Sequence, residues 1–208
     1  MFSKKNNKRI SGKKERKEPQ NFWKYPYKAW RFLWYDESVW SFLLNVIIAF
    51  ILIKFLIYPA LGLILGTHYP IVAVISGSME HKAPFTEWWQ VKQFEYSSYG
   101  ITLADFKSYP FQGGLNKGDI VILISPKNAK VGDIIVFRSD RPDPIIHRAV
   151  LENTINGTKV FQTQGDNNNG QLPEEKYIPQ DTVIGKAAFR IPYVGYVKIF
   201  FSNILNAL

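Results

Sequence analysis

The chain contains no cysteine. That excludes disulfides, thiolate metal sites, iron–sulfur clusters and a cysteine nucleophile together. Histidine is also scarce. The three present, His68, His81 and His147, leave little material for a multi-histidine metal site. Acidic residues are thin at the start of the chain. Residues 1–37 hold 11 Lys/Arg against 4 Asp/Glu, a net of +7 out of +9 for the whole chain. Residues 38–208 are therefore close to neutral. A body that binds nucleic acid carries its basic residues on the folded surface, so nucleic acid is not an expected partner. Apolar residues are not scarce. They make up 46% of the 208 residues, enough for a packed core and too many for wholesale disorder.

Residues 1–21 are Lys-rich and polar and read as a disordered tail. Residues 22–37 form a juxtamembrane segment in which aromatics alternate with Lys24, Lys28 and Arg31, a composition suited to a membrane–water interface. Residues 38–58, "SVWSFLLNVIIAFILIKFLIY", read as a transmembrane helix. As a helix of 1.5 Å rise per residue it would span roughly 30 Å, about one hydrocarbon core. Its one charge, Lys54, lies near an end and can snorkel. Pro59 is expected to stop the helix. The Lys/Arg excess precedes the span, so the N-terminus is expected in the cytoplasm and the body outside, in a single-pass protein of the cell membrane.

The body, residues 70–192, is a series of short β-branched runs bounded by Gly, Pro, Asn and Asp. Strands are expected at 70–76, 119–125, 133–139, 145–152, 159–164 and 183–191. The fold class is mainly β, an antiparallel barrel-like or sandwich-like domain behind one N-terminal transmembrane helix. Residues 83–114 form an aromatic insert, either a satellite core or a lip dipping into the membrane. Residues 193–208 are apolar but short for a span, and read as an interfacial segment.

Three stretches carry chemistry. "VISGSME" ends a strand in a Ser-Gly-Ser turn that exposes Ser78 and its amide. "PIIHRAV" sets His147 within an apolar strand, and "QTQGDNNNG" sets Asp166 at a strand end. Alone, each has an ordinary meaning: a polar turn, a packed histidine, a loop. The spacing links two of them. Asn156-Gly157 is the strongest signal for a two-residue hairpin. Ile155 then faces Thr158, and an undisturbed register places His147 opposite Asp166 on one face. A carboxylate there would fix the imidazole tautomer and leave the other nitrogen as a base for Ser78. One β-bulge would break that parity.

The set "SGSME", "GDIIVF", "IIHRAV", "QGDNN" and "IGKAAFRIPYVGYV", in that order behind one anchor, closely resembles type I signal peptidases. Histidine where bacterial members carry lysine resembles the archaeal and endoplasmic-reticulum type. The resemblance implies a membrane-bound serine endopeptidase that removes signal peptides from secretory preproteins, cutting after small residues at −1 and −3. It implies Ser78 as nucleophile, His147 as general base, Asp166 as the acidic member, and the Ser78 amide with the Ser76 hydroxyl as oxyanion donors. It implies no cofactor and no metal. The expected partners are preproteins and the lipid bilayer, with the protein translocation channel as a candidate neighbour. Two positions depart from the pattern. His81 stands where proline is usual, which makes it a minor rival base. Leu172 stands where relatives carry a second aspartate, so Glu174 or Glu175 is an alternative acidic partner. The same departures would suit a rival reading, a non-catalytic membrane-anchored β-domain scaffold.

Overall fold

The computed structural model describes residues 24–197, 199 and 200. The tail of residues 1–21 and the end of the C-terminal segment, residues 201–208, lie outside the described residues. The chain divides into two units, Met1–Leu52 and Ile53–Leu208.

In the first unit, helix α1 (Lys24–Tyr35) is followed by α2 (Val39–Leu52). Ser38 and Asp36 cap the turn between them: Ser38 N–H donates to Asp36 Oδ1 at 2.8 Å, and Ser41 N–H to Ser38 Oγ at 3.2 Å. Asn45 and Ser41 of α2 donate to the carbonyls of Leu33 and Phe32.

The second unit begins with a π-helical turn, Ile53–Ile57, and helix α3 (Tyr58–Leu65). The whole run Val39–Leu65 is 27 residues long and apolar enough to cross a membrane. It runs from Val39, one residue after the expected start at residue 38, to Leu65, seven residues beyond residue 58. Pro59 does not stop it. A proline ring clashes with the carbonyl four residues back, here that of Phe55, and the widened π turn Ile53–Ile57 that contains it relieves the clash. The stop is Gly66, in the left-handed conformation at φ 67, whose N–H returns to the Gly62 carbonyl.

The body is one curled antiparallel sheet of seven strands, a half-barrel in the order β1-β2-β7-β3-β4-β5-β6. The strands are β1 (Ile71–Ala73), β2 (Ile120–Ile124), β3 (Ile134–Phe137), β4 (Ile145–Ile155), β5 (Thr158–Gln164), β6 (Ile178–Pro179) and β7 (Val183–Ile191). All six expected strands form, the first as three residues of the seven expected, and β6 is additional. The register shifts between Ile122 and Leu123, between Val136 and Phe137, and between Ala149 and Leu151. Each irregularity adds local twist, which curls the sheet. Val121, Leu123, Ile134, Val136 and Ala187 pack one face of the sheet with Met79 and Leu115. Ile135 and Phe137, the alternate residues of β3, point to the opposite face of the sheet and pack there with Ala149, Phe161 and Ile178.

The aromatic insert is helical, which its sequence did not suggest. Helix α4 (Phe85–Ser97) and α5 (Leu103–Ser108) close a satellite core of Trp88, Trp89, Tyr96, Ile101 and Phe106 against Val150 of β4. Thr102 and Asp105 form a reciprocal capping box at the start of α5. Val91 and Phe94 of α4 point outward, 76% and 80% exposed.

Candidate active site

The β4–β5 turn forms as its sequence predicts. Asn156 and Gly157 take positive φ of 50 and 78, and Ile155 pairs with Thr158. The expected pairing of His147 with Asp166 does not follow. A bulge at Val150 moves the register by one residue, so Ala149 faces Thr163 and Arg148 faces Gln164. That shift brings His147 level with Gly165 and leaves Asp166 beyond the end of β5.

His147 is buried on β4, paired across the sheet with Ile135 of β3. Its Nε2 lies 2.8 Å from Ser78 Oγ. Its Nδ1 meets Oε1 of Glu175, a carboxylate with no solvent exposure. Glu175 is held from two further directions. Thr163 Oγ1 donates to Oε1 at 2.9 Å, and Leu172 N–H donates to Oε2 at 2.7 Å. A carboxylate can only accept, so Nδ1 carries the proton and Nε2 presents its lone pair to Ser78. Glu174 turns away and pairs with Arg141 at 3.1 Å.

Ser78 sits on the bend after β1, partly exposed. The bend is tied down on several sides. Asn167 N–H donates to the Ser78 carbonyl at 2.8 Å, and Asn167 Nδ2 to the Gly77 carbonyl at 2.9 Å. Leu115 N–H donates to Met79, and Glu80 bridges to Gly114. Ser76 Oγ lies 3.1 Å from Ser78 Oγ. The serine faces a groove of about 760 Å³. One wall is the run 71–76, including the outer edge of β1; the other is 143–146, and Leu172 lies at its rim. Leu172 therefore lines the groove, while Glu175, three residues on, turns inward to the imidazole.

Asp166 has other partners. Oδ1 accepts from Tyr96 at 2.8 Å and Arg148 Nε at 3.0 Å, and Oδ2 from Arg148 at 2.7 Å and His81 Nε2 at 2.9 Å. Burial alone would raise its pKa, but the Arg148 guanidinium and the hydrogen bonds outweigh burial and bring it down to about 2. The fully buried Arg148 spends its remaining donors on the carbonyls of Pro110, Gly132 and Phe111 and packs over the Phe106 ring. Every donor of that guanidinium is satisfied.

Sequence reasoning missed Arg148, which reads as a surface residue of a strand. It also missed Thr163, and Gly165 as a contact of the imidazole. A Cβ built on Gly165 would stand 2.9 Å from His147 Nε2 and 2.6 Å from Asn168 Nδ2. Gly165→Ala is therefore expected to tilt the imidazole away from Ser78 and slow turnover by about tenfold to a hundredfold. Steady-state cleavage rates check this; KM should move by less than about threefold.

The chain was compared with known proteins. It is 30% identical over 157 residues to the signal peptidase complex catalytic subunit SEC11 of Scheffersomyces stipitis, covering 72% of this chain and 75% of that one. It is 27% identical over 159 residues to the same subunit of Lachancea thermotolerans, covering 72% and 76%. For Eremothecium gossypii the identity is 29% over 158 residues, covering 72% and 75%. No family model matches, and no solved structure matches.

Proposed function

The chain belongs to the signal peptidase family of serine endopeptidases, and we propose that it removes signal peptides from preproteins with Ser78 as nucleophile, His147 as general base and Glu175 as the carboxylate that orients the base. The observation that carries this reading is the hydrogen-bonded series Ser78–His147–Glu175 at one end of an apolar groove.

The chemistry follows from the geometry. Ser78 Oγ attacks the scissile carbonyl while His147 Nε2 takes its proton. Glu175 stabilises the imidazolium that forms, and Thr163 and the Leu172 amide keep that carboxylate in place. The Ser78 N–H and the Ser76 hydroxyl are the proposed donors to the tetrahedral oxyanion. His147 then returns the proton to the leaving amine, and water, activated by the same nitrogen, releases the acyl chain. Substrate in extended form would pair with the open edge of the 71–76 run. The apolar lining contributed by Ile71, Ala73, Ile145 and Leu172 would accept small side chains at −1 and −3.

The proposed topology places the basic N-terminus in the cytoplasm and the body on the far side of the bilayer. A signal peptide is itself seated in the membrane, so enzyme and substrate meet in two dimensions. Tethering raises their effective concentration without requiring tight contacts.

The test is cleavage of a preprotein with an Ala-x-Ala site by the full chain in liposomes, beside Ser78→Ala, with the new N-terminus sequenced. A cut after the second Ala that disappears in the variant is expected. No cut in several preproteins, or a cut that survives Ser78→Ala, would overturn the reading.

A further inference from the structure

His81 lies three residues beyond Ser78, on the same bend. Its side chain is 3% exposed. The ring stacks flat on Trp88 of α4, with centroids 3.7 Å apart and planes 10° from parallel. Nε2 meets Asp166 Oδ2 at 2.9 Å. Nδ1 is buried and has no hydrogen-bond partner among the described residues. A carboxylate already taking three other donors cannot give one, so Nε2 is the donor and Nδ1 the bare side of the ring. His81 is thus engaged elsewhere, while Ser78 is bonded to His147.

The Asp166 carboxylate joins three segments of the site. Arg148 is the residue after His147, His81 is on the serine bend, and Tyr96 is on α4 of the insert. Helix α4 reinforces the same neighbourhood. Lys92 Nζ donates to the Asn168 carbonyl and to Asn169 Oδ1, and Gln164 Nε2 donates to Glu95 at 2.9 Å. The aromatic insert therefore holds the serine bend through Tyr96 and the Asp166 carboxylate to which His81 donates, with Trp88 packed on the His81 ring, and grips the loop 164–169 behind the imidazole.

We infer that His81 is a positioning residue, the latch through which the aromatic insert sets the distance between Ser78 and His147. The inference rests on the proposed roles of Ser78 and His147. It gives the insert a task inside the molecule, bracing the two loops that carry the site, and it gives His81 a reason to stand on this bend.

The stack and the hydrogen bond can be separated by substitution. His81→Phe keeps an aromatic ring for Trp88 and loses the donor to Asp166. His81→Gln keeps an N–H donor and loses the ring. Both are measured as the full chain in liposomes on the Ala-x-Ala preprotein, with melting temperatures recorded alongside. His81→Phe is expected to lower kcat by about tenfold to a hundredfold with KM within about twofold, because a displaced nucleophile costs rate and not binding. His81→Gln is expected to recover kcat to within about threefold of the parent. Equal rates for His81→Phe and the parent would overturn the inference, as would a His81→Gln rate no better than that of His81→Phe. If His81→Phe does not fold, His81→Gln decides alone: a loss beyond about tenfold at an unchanged melting temperature overturns it. Persistence of cleavage in Ser78→Ala, run in the same series, would instead remove the reading on which the inference rests.

Discussion

His147→Ala is expected to lower turnover by about four to six orders of magnitude, with KM changed by no more than about threefold. The imidazole contributes only while a proton is in flight: from Ser78 on attack, to the leaving amine on collapse, and from water on deacylation. None of those proton transfers takes place in the bound ground state, so binding should persist when they are lost. Ser78 Oγ, 2.8 Å from Nε2 in the parent, would have no acceptor positioned for its proton. Some acceleration over water should remain, since the groove and the oxyanion donors are untouched. Single-turnover cleavage in liposomes measures the chemical step, and competition with an uncleavable preprotein measures binding. A loss below about tenfold would mean that another group serves as base. His81 is poorly placed for that work, with one nitrogen held by Asp166 and the other among aromatic rings.

Much of this arrangement is legible along the chain, and what is not has a physical cause. Ser78 and His147 can be found because each lies in a short run whose local character is distinctive: a Ser-Gly-Ser bend and a histidine in an apolar strand. The Asn156-Gly157 turn is fixed by its own backbone preference, and the pairs nearest it follow. The register fails farther out, at Val150, because the bulge belongs to the packing of β4 against the insert. Nothing local marks it. Glu175 reaches His147 from a single turn of 3-10 helix, Pro173–Glu175, and only the fold decides which of two adjacent glutamates turns inward. Helix α4 escapes notice for a similar reason. Its buried face includes Lys92 beside Trp88, Trp89 and Tyr96, while Val91 and Phe94 stay outside, so the apolar stripe that announces a helix is scrambled. The membrane helix ends at Gly66 and not at Pro59 because a π turn accommodates the proline, a remedy that composition does not reveal.

The two buried carboxylates near the site should respond to neutralisation in opposite ways. Glu175→Gln is expected to lower kcat by about a hundredfold to ten-thousandfold with a smaller loss of melting temperature than Asp166→Asn, since its amide N–H group must face one buried donor such as the Leu172 N–H. An amide can still accept from the imidazole or from Thr163, but it no longer offsets the charge that forms on His147. Asp166→Asn is expected to act on stability first. It leaves Arg148 a fully buried cation without its counter-charge, a change that typically costs about 3–5 kcal/mol. The same pair dictates a pH dependence. Arg148 and the hydrogen bonds hold the Asp166 carboxyl at about 2, below its usual range, despite the opposing effect of burial. A depressed carboxylate stabilises the fold fully above its unfolded pKa, and that stabilisation is lost as pH falls toward the folded value. The parent should therefore weaken progressively between about pH 4 and pH 2, while Asp166→Asn, already weakened at neutral pH, should be flatter across that window. Melting of both variants and the parent in detergent from pH 7 to pH 2, with cleavage rates at neutral pH, tests the division. Parent-like melting of Asp166→Asn would deny the Arg148–Asp166 pair its structural weight. Parent-like turnover of Glu175→Gln would remove Glu175 from the reaction and return the role of orienting carboxylate to another residue.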